Sequence, residues 1–144
     1  MPPEPIIVRS DGSTVTGMSS RAADCTLRIS PRELTFIRIN HQARLQLEDI
    51  EVVIEGRFVV ETSGTAHQLD AAERAGLGPL LALYPCRLAS AAVNNNATLR
   101  LGFDNGAVLV VPPDSDYEAW QIIGPGTTMV ICVPGNSGEL AIWR

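Results

Sequence analysis

The side chains best suited to chemistry are few and scattered. Asp114, Asp116 and Glu118 fall within five residues, Asp114-Ser115-Asp116-Tyr117-Glu118. Carboxylates this close are the donors that hard cations such as calcium or magnesium take. The segment lacks EF-hand spacing and has no loop glycine at the required offset. Ser115-x-x-Glu118 also matches a capping box opening one short turn through Trp120, with Asp114 and Asp116 near the positive helix end. The cap is the stronger reading, so no metal site is assigned and the three acids stay weak candidates.

Only two histidines occur. Ser63, His67 and Asp70 have the residue types of a nucleophile, a base and an orienting acid, and Cys86 with His67 those of a thiol–base pair. Neither set sits in a nucleophile elbow or comparable motif, so no catalytic residue is assigned. Gly76-Leu77-Gly78-Pro79 is too short for a phosphate loop, and Pro79 lacks an N–H that a phosphate would use. Cys25, Cys86 and Cys132 are odd in number and lack ligand spacing. They read as buried small hydrophobes in a reducing cytosol, without disulfide or zinc. No cofactor is expected.

Contact chemistry is better represented. Arg32, Arg38 and Arg44 gather among Phe36, Ile37, Ile39, Leu45 and Leu47, with His41 at a turn between them. Phe36 and Ile37 are adjacent, so both faces of this hairpin carry apolar area. An edge hairpin of that kind invites a partner, whereas burial of both faces within the domain removes the invitation. Tyr117, Trp120 and Trp143 serve equally as interface anchors or as core closure. Aromatics make up only 5% of the chain, which favours the core. The proposed contact set is Arg32, Phe36, Arg38, His41, Arg44, Tyr117 and Trp120.

The elements that position these residues are mostly strands. Cys25, Leu27 and Ile29 alternate with Thr26 and Arg28, the period of a strand with one wet face. Residues 34–39 and 44–47 form a hairpin around Asn40-His41-Gln42. Residues 51–54 and 58–61 are two more strands, with Gly56 at a tight turn or bulge between them. Residues 6–8 form a short strand, Asp11-Gly12-Ser13 a turn, and residues 14–16 a resumed strand. Residues 1–5 are a loose lead-in, and 17–24 a loop.

One helical excursion is expected near residues 70–84. Asp70-Ala-Ala-Glu-Arg opens it, Gly76 and Gly78 interrupt it, and Pro79 starts a second short helix over 80–84. Strands return at 87–93, 99–103, 108–111, 129–133 and 140–143. Alternation on both sides of Asp104-Asn105-Gly106 is the strongest hairpin signal in the chain. The expected fold is mainly β, α+β at the margin. It is an antiparallel sandwich or partly closed barrel, built as one domain over residues 1–144.

Composition narrows the partners. The net charge is -5 and all 11 basic residues are Arg. Neither half offers the basic stripe that phosphate backbones require, so nucleic acid is not expected. No apolar run approaches membrane-spanning length, and residues 1–9 lack a signal-peptide core. The expected location is cytoplasmic.

Several blocks resemble a family of small uncharacterised bacterial proteins, a domain of unknown function seen mainly among actinobacteria. They are His67-Gln-Leu-Asp70, Pro79-Leu-Leu-Ala-Leu83, Leu99-Arg-Leu-Gly-Phe-Asp-Asn-Gly106, Pro112-Pro-Asp-Ser-Asp-Tyr-Glu-Ala-Trp120, Val130-Ile-Cys-Val-Pro-Gly135 and Glu139-Leu-Ala-Ile-Trp143. Val15-Thr-Gly17, Cys25-Thr-Leu-Arg28 and Val52-Val-Ile-Glu-Gly56 fit the same pattern. The resemblance implies a cytoplasmic bacterial protein and no particular activity. Against that pattern, residues 30–48 look like an extra hairpin.

Three functions follow as expectations. The first is a non-catalytic protein-interaction module, immunity-like or accessory, its acidic surface steering basic partners. The second is a small-molecule binder or enzyme at a barrel mouth, with Asp116, Glu118, His67 and Tyr117 converging. The third is a self-assembling protein that pairs through the extra hairpin.

Overall fold

The computed structural model describes residues 5–13, 19–126, 128–135 and 137–143. Its strands are β1 (Ile7–Arg9), β2 (Ser19–Arg21), β3 (Cys25–Leu27), β4 (Arg32–Ile39), β5 (Ala43–Leu47), β6 (Ile50–Ile54), β7 (Arg57–Thr62) and β8 (Thr65–Asp70). After a short helix α1 (Gly78–Leu81) come β9 (Arg87–Val93), β10 (Leu99–Phe103), β11 (Val108–Val111), β12 (Trp120–Ile123), β13 (Met129–Cys132) and β14 (Glu139–Trp143). β1 and β3 form a small sheet, and the other strands form one twelve-stranded sheet in the order β2-β14-β13-β12-β6-β5-β4-β9-β10-β11-β7-β8. Every pairing is antiparallel. The sheet has two ends, β2 and β8, so it does not close into a barrel.

Alternation decides which face goes inside. Ala43, Leu45 and Leu47 of β5 are buried, with Arg44 and Gln46 between them half-buried. Leu99, Leu101 and Phe103 of β10 follow the same rule, as do Leu109 and Val111 of β11. The inward rows from both halves of the sheet meet in one apolar cluster. Trp120 lies at its centre with no exposed surface. Its indole N–H donates to the Ala97 carbonyl at 2.9 Å, which ties β12 in one half to the turn before β10 in the other. A buried indole without such a partner would cost stability.

Turn chemistry fixes the registers. Between β10 and β11, Gly106 takes φ of 87° and the Asn105 side chain accepts the Ala107 N–H at 3.0 Å. The corner between β6 and β7 works differently, because these strands pair with other neighbours rather than with each other. The Glu55 N–H donates to Ala119 O at 3.0 Å, and Gly56 O accepts the Ala71 N–H at 2.9 Å. The Tyr117 phenol roofs Gly56 so closely that a Cβ there would collide with it. Gly56 is therefore the corner that passes the chain from one half of the sheet to the other.

The mainly β expectation holds, and the strands expected over 34–39, 44–47, 51–54, 58–61, 87–93, 99–103 and 108–111 are present. Several local expectations need correction. The helix expected from Asp70 is absent: β8 runs to Asp70, whose side chain accepts the Ala72 N–H at 2.9 Å in a turn. Pairing with β7 overrides the local helix preference of this segment. A single 3₁₀ turn, Arg74–Gly76, then precedes α1, which ends at Leu81 rather than Tyr84. Residues 19–24, read as loop, form β2 and a 3₁₀ turn. The capping-box helix through Trp120 does not form, since Trp120 opens β12. The strand expected at 14–16 lies outside the described residues, as does most of the lead-in at 1–5.

The hairpin over residues 30–48 is no edge appendage. β5 pairs β6 along its whole length, and the start of β4 pairs β9, Arg32 with Leu88 and Glu33 with Arg87. This hairpin joins the two halves of the sheet.

Candidate functional site

β4 is longer than its second neighbour allows. It pairs β5 from Leu34 to Ile39, with an irregularity between Leu34 and Phe36. On its other side, β9 reaches only Arg32 and Glu33, followed by one hydrogen bond from the Leu34 N–H to Cys86 O at 3.3 Å. Beyond that point β4 overhangs, and no described strand covers the outer side of residues 35–39.

The direction of the backbone groups can be read from the hairpin turn. The Asn40 N–H donates across the hairpin to Gln42 O at 3.1 Å. Alternate residues of an antiparallel strand face the same side. Arg38 and Phe36 therefore turn their backbone groups toward β5, and Ile37 and Ile39 turn theirs outward. The side chains of Ile37 and Ile39 pack on the core.

Exposed apolar side chains occur on β4 and on the segment that leads into β9. Phe36 is 47% exposed and sits two residues from the Leu34–Cys86 bond. Tyr84, 54% exposed, lies two residues before Cys86 in the turn that leads into β9, and Leu81, 49% exposed, is the last residue of α1. Sequence reasoning missed Leu81 and Tyr84. Nothing in Leu80-Leu81-Ala82-Leu83-Tyr84 says which apolar residue stays outside.

The arginines of the hairpin are engaged. Arg32 pairs with Asp49 at 2.8 Å and also reaches Ser30 O at 3.0 Å. Its guanidinium, hydrogen-bonded to Asp49, holds that carboxyl below the usual carboxylate range. Glu51 receives Arg44 at 2.7 Å and Arg38 at 3.3 Å, and Arg44 also donates to Gln42 at 2.9 Å. Gln42 in turn donates to Glu55. Arg38 is the most exposed of the three. His41 is exposed at the turn.

The other contact residues divide. Trp120 is wholly buried and is removed from the contact set. Tyr117 is half-exposed over Gly56. Burial, followed by its hydrogen bond to Asp114, pushes its phenol above the usual range.

The groups considered for catalysis or metal binding are dispersed. Asp114 Oδ1 accepts the Asp116 N–H at 2.9 Å, and Asp114 O accepts the Gly135 N–H at 2.8 Å. Glu118 receives Gln121 at 3.4 Å. These acids shape a turn, and among the described residues no group of three or more His, Cys, Asp and Glu gathers as a metal site would.

His67 lies on β8 opposite Val60 and meets Thr62 Oγ1 at 3.1 Å. Ser63 sits in the turn at one end of β8 and Asp70 at the other. Residues three apart on a strand are about 10 Å apart and point to opposite faces, so His67 and Asp70 do not meet. Four strand spacings, about 19 Å, separate β8 from β9, beside which Cys86 lies. Tyr117 stands over the Gly56 corner, so the barrel-mouth cluster with His67, Asp116 and Glu118 is not assembled either.

A depression of about 330 Å³ is lined by Arg57, Gln68, Leu69, Asp70 and Glu73 and holds no nucleophile. Another, of about 320 Å³, includes Cys25, but burial pushes that thiol up and leaves little thiolate. Burial also pushes Cys132 up, to about 11. Among the described residues, no helix is long and apolar enough to cross a membrane.

Comparison with curated proteins and with solved structures returns no match. Residues 25–144 match a family of unknown function, DUF6188. The match includes the β4–β5 hairpin and leaves out Val15-Thr16-Gly17.

Proposed function

From a chain that belongs to DUF6188, and so to a family whose function is unknown, we propose a non-catalytic protein-interaction module. One observation carries this reading. The overhanging edge of β4 leaves outward backbone groups on a strand that exposes Phe36, and the exposed Tyr84 lies in the turn leading to Cys86, which bonds Leu34. A strand edge flanked by apolar side chains is what β-augmentation uses: main-chain hydrogen bonds give affinity and side chains give specificity. The dispersal of His67, Ser63, Asp70 and the cysteines supports the same reading, because bond-making needs them together.

Within this proposal the protein serves an accessory or immunity-like role in a bacterial cytosol. Its net charge of -5 suits steering toward basic partners, and its free thiols suit a reducing compartment. The test is retention of partners on the immobilised chain from host lysate at low and high salt, beside chains carrying Phe36→Arg or Tyr84→Ser. Stoichiometric retention lost in both variants is the expected result. If no species is retained at either salt concentration and the purified chain does not self-associate, the reading fails.

A further inference from the structure

We infer that the seam between the small β1–β3 sheet and the β2–β14 end of the large sheet binds a zwitterion of the α-amino-acid class, its carboxylate held by Arg9 and Arg21 and its ammonium by Asp24. The inference does not rest on the β4 edge.

The seam is built from two strand pairs and the turn between them. β1 pairs with β3, which sets Arg9 opposite Cys25. β2 pairs with β14, which sets Arg21 opposite Glu139. The 3₁₀ turn Ala22–Asp24 runs directly from β2 into β3. Backbone bonds hold this turn on both sides. The Ala22 N–H donates to Gly138 O at 2.6 Å, and the Ser10 N–H donates to Asp24 O at 2.8 Å. Ala22 itself is buried in the core. Backbone fixed in this way does not have to be ordered when a ligand arrives.

The side chains converge on one depression of about 320 Å³, lined by Arg9, Ser20, Arg21, Asp24, Cys25 and Glu139. The nearly buried Cys25 thiol shows how closely they gather. The Ser20 hydroxyl hydrogen-bonds with it, and the charges of Arg9 and Asp24 both act on it.

The charges here are unmatched. Arg32, Arg38, Arg44 and Arg87 each pair with a carboxylate. Among the described residues Arg9, Arg21 and Asp24 make no ion pair, although all of them line the same space. Glu139 is already engaged and is left out of the binding set.

Groups of opposite sign that stand apart in one depression suit a ligand that carries both signs. Paired guanidinia match a carboxylate, whose oxygens accept from each. Asp24 matches an ammonium. A dianion such as phosphate is opposed by Asp24 and Glu139, and a simple amine by both guanidinia. The volume lies at the small end of ligand sites, enough for a free amino acid. No Val, Leu, Ile or aromatic side chain lines it, which favours small polar amino acids over hydrophobic ones.

The experiment is amide NMR of the purified chain titrated separately with L-serine, glycine, acetate, ethylamine and inorganic phosphate. L-serine and glycine should give saturable shifts at the amides of Ser20, Arg21, Asp24 and Cys25. Acetate and ethylamine, each with one of the two charges, should bind about tenfold or more weakly. Arg9→Gln with Arg21→Gln should abolish the L-serine shifts, and Asp24→Asn should lower L-serine to the affinity of acetate. These side chains are exposed, so thermal melts of the variants should match the parent chain. Phe36→Arg should bind L-serine unchanged, which separates this site from the interaction-module reading.

Absence of saturable shifts with both L-serine and glycine overturns the inference. Phosphate or acetate binding as tightly as L-serine also overturns it, by making the seam a plain anion site. L-serine shifts that persist in the double arginine variant overturn it by placing the ligand elsewhere.

Discussion

Two of the open strand edges among the described residues are built differently. β8 closes one end of the sheet, paired with β7 along all six of its residues. Its outer side has no described neighbour, yet its exposed side chains are Thr65, Ala66 and Gln68. β4 lies in the middle of the sheet order and is open only where it outruns β9. There the strand itself exposes Phe36. An open edge is a liability that proteins blunt with short or polar strands. β8 is blunted in this way and the overhang of β4 is not. Exposure alone does not mark a contact surface; exposure that has been left apolar does.

This contrast can be attacked from both sides. The largest effect is expected from Leu34→Ala, at the last residue of β4 held from both sides. Leu34 is buried, so the variant should lose about 2–5 kcal/mol in urea denaturation. It should also speed amide exchange along β4 more than along β8. Equal exchange in both strands would show that the overhang is not a separate feature. Gly56→Ala comes next. Its Cβ meets the Tyr117 phenol, so about 1–3 kcal/mol of destabilisation is expected, or expulsion of Tyr117 detected by a change in tyrosine fluorescence.

A third change moves apolar surface to the quiet edge. Ala66→Phe with Gln68→Phe on β8 should leave stability within about 0.5 kcal/mol while raising light scattering. Unchanged scattering would mean that side-chain polarity is not what keeps β8 unpaired.

The smallest effect concerns the ion pair that pins the start of β4. Asp49 is held below its usual range by Arg32, so its contribution to stability is present above the unfolded carboxylate pKa. It is lost as pH falls through the lower folded value. Asp49→Asn should cost no more than about 0.5 kcal/mol near neutrality, because the carboxylate is half exposed, and should flatten the acid limb of a stability–pH curve.

How much of this was legible depended on whether the signal was local. The β10–β11 hairpin could be read because Asn105-Gly106 and the flanking alternation lie within a dozen residues. Trp120 could not: Ser115-x-x-Glu118 imitates a helix start, while the partner that makes Trp120 a strand residue is Ile54, far along the chain. Asp70 misled for the same reason, its helix-forming neighbours being overruled by pairing of β8 with β7. At the site, Phe36, Arg38 and the hairpin were visible in the sequence. Its position was not, because strand order is a long-range property. The hairpin was expected at an edge and lies in the interior, and only its overhang is open.

Pairing of β2 with β14 sets Ser20 beside Leu140. During synthesis, then, the first of these strands must wait, unzipped, for nearly the whole of the described chain to leave the ribosome. Loop closure over that distance is slow and exposes sticky intermediates. Nascent chains stalled before residue 139 should therefore bind ribosome-associated chaperones, and release from them should coincide with emergence of β14.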